Sequence, residues 1–123
     1  MRANRSDAKI FVTFQRVGFH RWQDAVGHRH YLYSRHRHIF HVRIECFVSH
    51  DDREIEFHDL IDQAAKIWDQ RYPNGEMGIT SCEQAAAVLG AALMALFDRN
   101  FDVSVSEDGE CGAMVTSYKP LTG

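Results

Sequence analysis

The sequence predicts an α+β fold, in which a four-stranded antiparallel sheet carries two helices on one face. Residues 9–20, 36–49 and 101–118 are rich in β-branched and aromatic residues or alternate apolar with polar side chains, as strands do. Residues 59–97 instead space their apolar side chains with the helical period of 3.6, interrupted by Pro73-Asn74-Gly75. The resulting order, strand, strand, helix, helix, strand, strand, allows both helices to cover the same face of one sheet.

Four strands are predicted, over residues 9–20, 36–49, 101–107 and 112–118. The first strand ends in His20, and a polar loop with Gly27 separates it from the second. Turn residues at His50-Asp51-Asp52 follow the second strand. Asp108-Gly109 is a turn signal that joins the last two strands into a hairpin.

The first helix is predicted to begin at Asp59, a suitable N-cap residue, and to end before Pro73. Its apolar stripe includes Leu60, Ala64 and Trp68. A helix with one such stripe is expected to lie on the surface of the sheet and bury that stripe.

The second helix opens with a capping box, formed either by Ser81 and Gln84 or, one residue earlier, by Thr80 and Glu83. Its many alanines indicate close packing on the sheet, and Asn100 is the expected C-terminal stop.

The composition indicates one globular domain over residues 1–123, with residues 1–8 as a flexible N-terminus. No apolar run reaches the roughly 20 residues that span a bilayer, and the N-terminus lacks the apolar core of a signal peptide. A cytoplasmic protein with no membrane partner is therefore expected.

Three widely spaced cysteines argue against a disulfide framework. Arginines crowd the first third of a chain whose net charge is −3, which favours a small anionic ligand or a solvated loop over nucleic acid.

His36 and His38 alternate along the second strand, so their side chains share a face with the apolar Phe40, Val42 and Ile44. Two neutral imidazoles on one face can bind one metal ion. A hydrogen-bonded pair of histidines at the rim of a sheet has the same spacing, so both interpretations remain open on the pattern alone.

Five motifs in order carry a resemblance to a known family. They are Phe19-His20-Arg21 at the end of the first strand, His36-Arg37-His38 followed by Phe40 and Val42, Glu56-Phe57 with Asp59-Leu60 before the first helix, Thr80-Ser81-Cys82-Glu83-Gln84 opening the second helix, and Val103-Ser104-Val105-Ser106-Glu107-Asp108 at the end of the third predicted strand. From about residue 9 to about residue 118, the chain resembles the 6-pyruvoyl-tetrahydropterin synthase and 6-carboxytetrahydropterin synthase family, which has the tunnelling fold.

The resemblance implies a zinc-dependent carbon–oxygen lyase that acts on dihydroneopterin triphosphate or a related reduced pterin, in tetrahydropterin or queuosine (deazapurine) biosynthesis. His20, His36 and His38 would hold Zn²⁺ with a fourth position open, as catalytic zinc sites do. Glu107 would grip the 2-amino-pyrimidinone edge of the pterin, with the metal at the far end of the pocket; its alternative is a solvated turn acid. Arg35 and other loop arginines would contact phosphates. The subunits would form a homo-oligomer, a hexamer, in which sheets close into a barrel.

The chain departs from the family in the residues that transfer protons. The family has a cysteine or glutamate shortly before its His-x-His motif, where this chain has His30-Tyr31-Leu32-Tyr33-Ser34-Arg35, and only Asp69 remains of an Asp-His pair. His30 and Tyr31 are candidate replacements as general acid or base, with loop packing as the alternative. Cys111, in the final hairpin, is the cysteine nearest the candidate site.

Two other functions compete with the lyase. A pterin- or purine-binding protein would keep the zinc site without the reaction, and the missing cysteine favours it. A nucleic-acid-binding protein would use the arginine and histidine loop, which the net charge of −3 disfavours.

Overall fold

In the computed structural model, one five-stranded sheet is covered by two helices; the structure describes residues 8–120. The elements in chain order are β1 (Lys9–His20), β2 (His36–Phe47), α1 (Phe57–Arg71), β3 (Glu76–Gly78), α2 (Cys82–Phe97), β4 (Phe101–Glu107) and β5 (Cys111–Ser117). Short 3-10 segments over Gly27–Tyr33 and Pro73–Gly75 lie in the connections. Residues 1–7 of the predicted flexible N-terminus lie outside the described residues, and the single domain over residues 1–123 stays a prediction.

The strands lie in the order β3-β1-β2-β4-β5. The pairs β1–β2, β2–β4 and β4–β5 are antiparallel, whereas β3 runs parallel to β1. The predicted α+β architecture is confirmed, but the predicted number of four strands is wrong because of β3. This strand has three residues, too few to show an alternation in the sequence, and it exists only through its pairing with Phe19 and His20.

The core lies between the helices and one face of the sheet. On the sheet side of the core, here called its floor, lie alternate residues of β2 and β4: Phe40, Val42, Ile44, Cys46, Phe101, Val103 and Val105. The helices cover this floor with Leu60, Ala64, Trp68, Ala85, Ala86, Leu89 and Leu93. The predicted close packing of α2 follows, since small alanines let its backbone approach the strands. His36 and His38 lie on the same face as this floor, where the core ends.

Helix α1 begins at Phe57, three residues before Leu60, the first helical residue that an N-cap at Asp59 implies. Glu56 rather than Asp59 is its N-cap, because the Glu56 carboxylate accepts hydrogen bonds from the backbone N–H of His58 at 2.6 Å and of Asp59 at 3.0 Å. Two of the unpaired N–H groups at the helix start are thereby satisfied. The helix ends at Arg71, before the proline, as predicted.

Helix α2 begins with the Ser81–Gln84 capping box, the later of the two predicted registers. Ser81 Oγ accepts from Gln84 N at 3.1 Å, and Gln84 Oε1 accepts from Ser81 N at 2.9 Å. The helix ends at Phe97, and Asp98, with φ of 58°, is its C-cap in place of the predicted Asn100. Among the described residues, neither helix is long and apolar enough to cross a bilayer.

Candidate metal centre

Three histidines meet where β1 ends and β2 begins. In the antiparallel ladder His20 lies directly opposite His36, and Gly18 lies opposite His38. Residues opposite each other, and residues two apart on one strand, share a face of the sheet. The three side chains therefore converge, and one ring nitrogen from each lies within 4.8 Å of the other two.

The Nδ1 atom of each imidazole lies within hydrogen-bond distance of an oxygen that can only accept a hydrogen bond. The Nδ1–H groups donate as follows: His20 to Thr80 O at 2.9 Å, His36 to Ser34 O at 2.9 Å and His38 to Asp108 Oδ2 at 2.8 Å. With the proton on Nδ1, each Nε2 carries its lone pair. The partners thus select the same tautomer in all three rings, with Nε2 as the ligating atom.

This donor set fits a zinc ion. Two nitrogens on a tetrahedral zinc lie about 3.4 Å apart, given Zn–N distances of about 2.0–2.1 Å, so small side-chain rotations would bring the three into place. Burial lowers the pKa of His20, against the opposing effects of the Thr80 hydrogen bond and the Glu107 charge, and this favours the neutral form that metals require. His38 Nε2 is buried without a hydrogen-bond partner among the described residues, as a metal-ligating atom would be before it binds.

Glu107 lies beside the histidines. Its Oε2 is 3.1 Å from His20 Nε2, and its Oε1 is 3.7 Å from His38 Nε2. The cause is the ladder register, in which Glu107 of β4 faces Phe40 of β2, two residues from His38. The sequence-based expectation of a metal at the far end of the pocket from Glu107 is therefore wrong in its geometry. A carboxylate that faces an imidazole lone pair calls for a cation or a proton between them.

A cavity of about 510 Å³ opens next to the centre. Its lining includes His20, His36 and Glu107, the first turn of α2, and Trp22 and Leu32 from the loop after β1. Ligand pockets of about 300–1,000 Å³ accommodate small organic molecules, so a bicyclic heterocycle fits this volume.

Two cysteines line this cavity. Cys111 lies opposite Glu107 in the β4–β5 ladder, near the candidate site as predicted from its position in the hairpin. Cys82, interpreted from sequence as a residue of the helix cap, lines the cavity too. Burial raises the pKa of the Cys82 thiol to about 12, so this side chain is protonated at neutral pH.

The cavity lining does not include the predicted site residues His30, Tyr31 and Arg35. His30 and Tyr31 lie in the 3-10 segment, where His30 stacks on Tyr33 with ring centroids 5.6 Å apart and Tyr31 is 65% exposed. Arg35 forms an ion pair with Glu76. Its guanidinium also lies 3.9 Å from the ring centroid of Phe19. Loop composition alone could not give the position of Arg35, because Glu76, 41 positions away, holds its side chain.

Sequence reasoning missed the role of Asp108 at the site, although the residue ends the fifth motif. The pattern Asp108-Gly109 is typical of a turn, and the residue does occupy the turn after β4 with φ of 57°. Its carboxylate nevertheless accepts from His38, and the hydrogen bonds from Ile39 N and His38 lower the pKa of Asp108. The available signal was its place directly after Glu107, on the strand that pairs with the histidine strand.

The fold of this chain is similar to that of a solved protein structure. Neither protein-family models nor curated proteins gave a match to the sequence. Among solved structures, the chain is similar to 6-pyruvoyl tetrahydropterin synthase of Plasmodium falciparum, at 13% identity and a TM-score of 0.60 over 90% of this chain and 99% of that chain. At this identity the likeness is one of fold. The chain therefore has the fold of the 6-pyruvoyl tetrahydropterin synthase family, as the order of its motifs predicts.

Proposed function

We propose that this protein is a zinc-dependent carbon–oxygen lyase that acts on dihydroneopterin triphosphate or a related reduced pterin. The observation that carries the proposal is the convergence of His20, His36 and His38, each with Nδ1 bound to an acceptor, beside a cavity of about 510 Å³ whose lining includes His20 and His36. Three neutral nitrogens beside an open cavity are the requirement of a catalytic rather than a structural zinc site.

In the proposed reaction the three histidines would hold zinc, which would supply a Lewis acid for an oxygen of the substrate side chain. Glu107 binds the heterocycle, because a carboxylate accepts two hydrogen bonds from adjacent N–H donors. Since its Oε2 is 3.1 Å from His20 Nε2, the group that it binds lies next to the centre. On the side of α2 the buried Cys82 lines the cavity, and hydrogen bonds beside such an apolar group are stronger than hydrogen bonds in water.

Arg21 is a better candidate for a phosphate contact than Arg35. Arg21 lines the cavity, and its guanidinium lies over the ring of Tyr33 at 5.1 Å. Arg35 would first have to leave its ion pair with Glu76. A guanidinium at the cavity wall can form paired hydrogen bonds to phosphate oxygens.

The metal assignment is tested by the zinc content of the purified protein. We expect one zinc per chain in the wild type and loss of that zinc in His36→Ala plus His38→Ala. His41→Ala is the matched control, since His41 lies on the same strand with its side chain on the opposite face. A double variant that retains the wild-type zinc content would refute the assignment.

The ligand assignment is tested by calorimetric titration of neopterin into the zinc-loaded wild type and Glu107→Ala. Loss of the carboxylate leaves ring donors unpaired, so binding should weaken by about 2–5 kcal/mol. The three histidines should hold the zinc without Glu107, and because Glu107 Oε2 lies 3.1 Å from His20 Nε2, the zinc content of both proteins is measured before the titration. Equal affinity of both proteins would contradict the pterin proposal and leave the metal proposal standing.

The second candidate function is a pterin- or purine-binding protein that keeps the zinc site without the reaction. Two observations favour it. Asp69, the remaining acid of the family's Asp-His pair, is bound by Arg16 through two hydrogen bonds of 2.8 and 3.2 Å. The Cys82 thiol, with a pKa of about 12, is not a nucleophile at neutral pH. Binding of neopterin without turnover of dihydroneopterin triphosphate would select this function over the lyase.

We also propose that the protein is a homo-oligomer, a hexamer by resemblance. Strand β5 forms an edge of the sheet and presents unpaired backbone groups, a surface that association would cover. Met114, on this strand, is 62% exposed, and Tyr118, just beyond it, is 47% exposed. Light scattering at micromolar concentration should give several times the chain mass of 14.2 kDa, and a mass of one chain would contradict the proposal.

A further inference from the structure

Asp108 is held in one orientation by the strand beside it. Its backbone N–H donates to Ile39 O at 2.8 Å, and its Oδ1 accepts from Ile39 N at 2.9 Å. The residue also has φ of 57°, a left-handed conformation that aspartate and asparagine tolerate better than most residues do. These two hydrogen bonds leave the second carboxylate oxygen, Oδ2, directed at His38.

We infer that Asp108 is a positioning residue of the metal centre, which keeps the proton of His38 on Nδ1 and the lone pair of Nε2 directed at the metal. This inference rests on the proposed zinc centre. Its basis is the 2.8 Å hydrogen bond from His38 Nδ1 to Asp108 Oδ2, together with the buried and unpartnered Nε2 on the other side of the same ring.

A carboxylate is the group that this position requires. Two donors, the backbone N–H of Ile39 and the Nδ1–H of His38, converge on one side chain, which must offer two separate acceptor oxygens. His20 and His36 use the backbone carbonyls of Thr80 and Ser34 instead. Among the three oxygens that accept from these histidines, the one bound to His38 therefore belongs to a negatively charged group. An anionic acceptor raises the basicity of the imidazole and strengthens its bond to a metal.

The substitution Asp108→Asn changes the hydrogen-bonding groups of the side chain and keeps its size and shape. An asparagine side chain has one acceptor and one donor group, and the backbone N–H of Ile39 requires the acceptor. The amide N–H would then face His38 Nδ1, which must accept and so transfer the ring proton to Nε2. That tautomer cannot ligate a metal through Nε2, so we expect zinc affinity to fall 10–100-fold, as is typical when a ligand's hydrogen-bond partner is lost.

Asp98→Asn is the matched control. Asp98 has φ of 58°, nearly the same as Asp108, but it precedes β4 whereas Asp108 follows that strand, so the two lie at opposite ends. Asp98 pairs with Lys119, outside the histidine cluster. The control therefore repeats the chemical change and the backbone conformation without the contact to His38, and it should keep the wild-type zinc affinity.

Two measurements test the inference. Competition with a chromophoric chelator gives the zinc affinity of the wild type and both variants, and nitrogen NMR of the metal-free proteins gives the tautomer of His38. We expect Nδ1–H in the wild type and in Asp98→Asn, and Nε2–H in Asp108→Asn. Nε2–H in the wild type, or unchanged zinc affinity in Asp108→Asn, would overturn the inference. A wild type that binds no zinc would instead contradict the proposed function. If Asp108→Asn fails to fold, the tautomer of His38 in the wild type still tests the role of Asp108.

Discussion

Gly18 is a position where one added methyl group should disturb both the core and the metal centre. A Cβ built there would lie 2.7 Å from Cδ2 and Cε2 of Phe40 and 2.8 Å from Met77 Sδ. Carbon atoms in contact lie about 3.5–4.0 Å apart, so the overlap is about 1 Å. The Met77 thioether can turn away, but Phe40 is 0% exposed and its ring has no free space to enter.

The expected cost of Gly18→Ala is about 2 kcal/mol, the middle of the range for an overpacked core. In a domain of this size that loss lowers Tm by about 8 °C. The Phe40 ring packs edge-on against His20 and His38, with ring centroids 5.1 and 5.7 Å apart. A displaced Phe40 therefore moves two of the three proposed ligands, and zinc affinity should fall together with stability.

Urea unfolding of the metal-free proteins measures the effect. The set comprises the wild type, Gly18→Ala, Phe40→Leu and the double variant. A smaller, flexible leucine should relieve the overlap, so the double variant should be more stable than the sum of the single losses by about 1 kcal/mol. Additive losses, or an unchanged unfolding midpoint in Gly18→Ala, would refute the reasoning that the Phe40 ring blocks this position.

Three further predictions concern pH, helix capping and metal binding. Because the pKa of His20 is lowered below its ordinary 6.5, its stabilisation is present above pH 6.5 and is lost as pH falls through the lower folded value. The Tm of the metal-free protein should therefore drop between pH 7.5 and 5.5, and less so in His20→Gln. Glu56→Ala should cost about 1 kcal/mol in urea unfolding, since it removes the N-cap of α1. Zinc at 100 times its Kd should stabilise the wild type by about 2.7 kcal/mol, but not His36→Ala plus His38→Ala, as thermal unfolding would show.

The sequence predicted those elements whose signals are local. Alternation along β2 placed Phe40, Val42 and Ile44 in the core, and the capping box placed the start of α2 at Ser81. The N-cap of α1 was predicted three residues late, because glutamate is an unusual N-cap and its side chain must fold back onto the helix to act as one. Strand β3 could not be predicted, since its three residues gain strand geometry only from the free edge of β1.

In the candidate site, too, the sequence predicted what depends on local motifs and missed what depends on distant pairing. His20, His36 and His38 could be proposed together because their motifs have a recognisable order, and the ladder register then explains why they meet. The position of Glu107 beside them depends on the pairing of β4 with β2, which no local pattern contains. The hydrogen bond of Asp108 to His38 spans 70 positions of the chain, and the ion pair that holds Arg35 spans 41. Roles that depend on such distant partners require the folded structure.

The core and the metal centre depend on one and the same strand register. Phe40, Val42 and Ile44 lie at alternate positions of β2 and point into the core. His38 and His36 occupy the preceding alternate positions of the same strand, so their side chains lie on the same face. Because side chains alternate with a period of two, a shift of one residue between β1 and β2 would expose the core face and separate His20 from His36 at the same time. The hydrophobic pattern that specifies the pairing therefore also assembles the proposed ligands. Conservative changes within this pattern should preserve the centre, whereas a change of register should abolish folding and metal binding together.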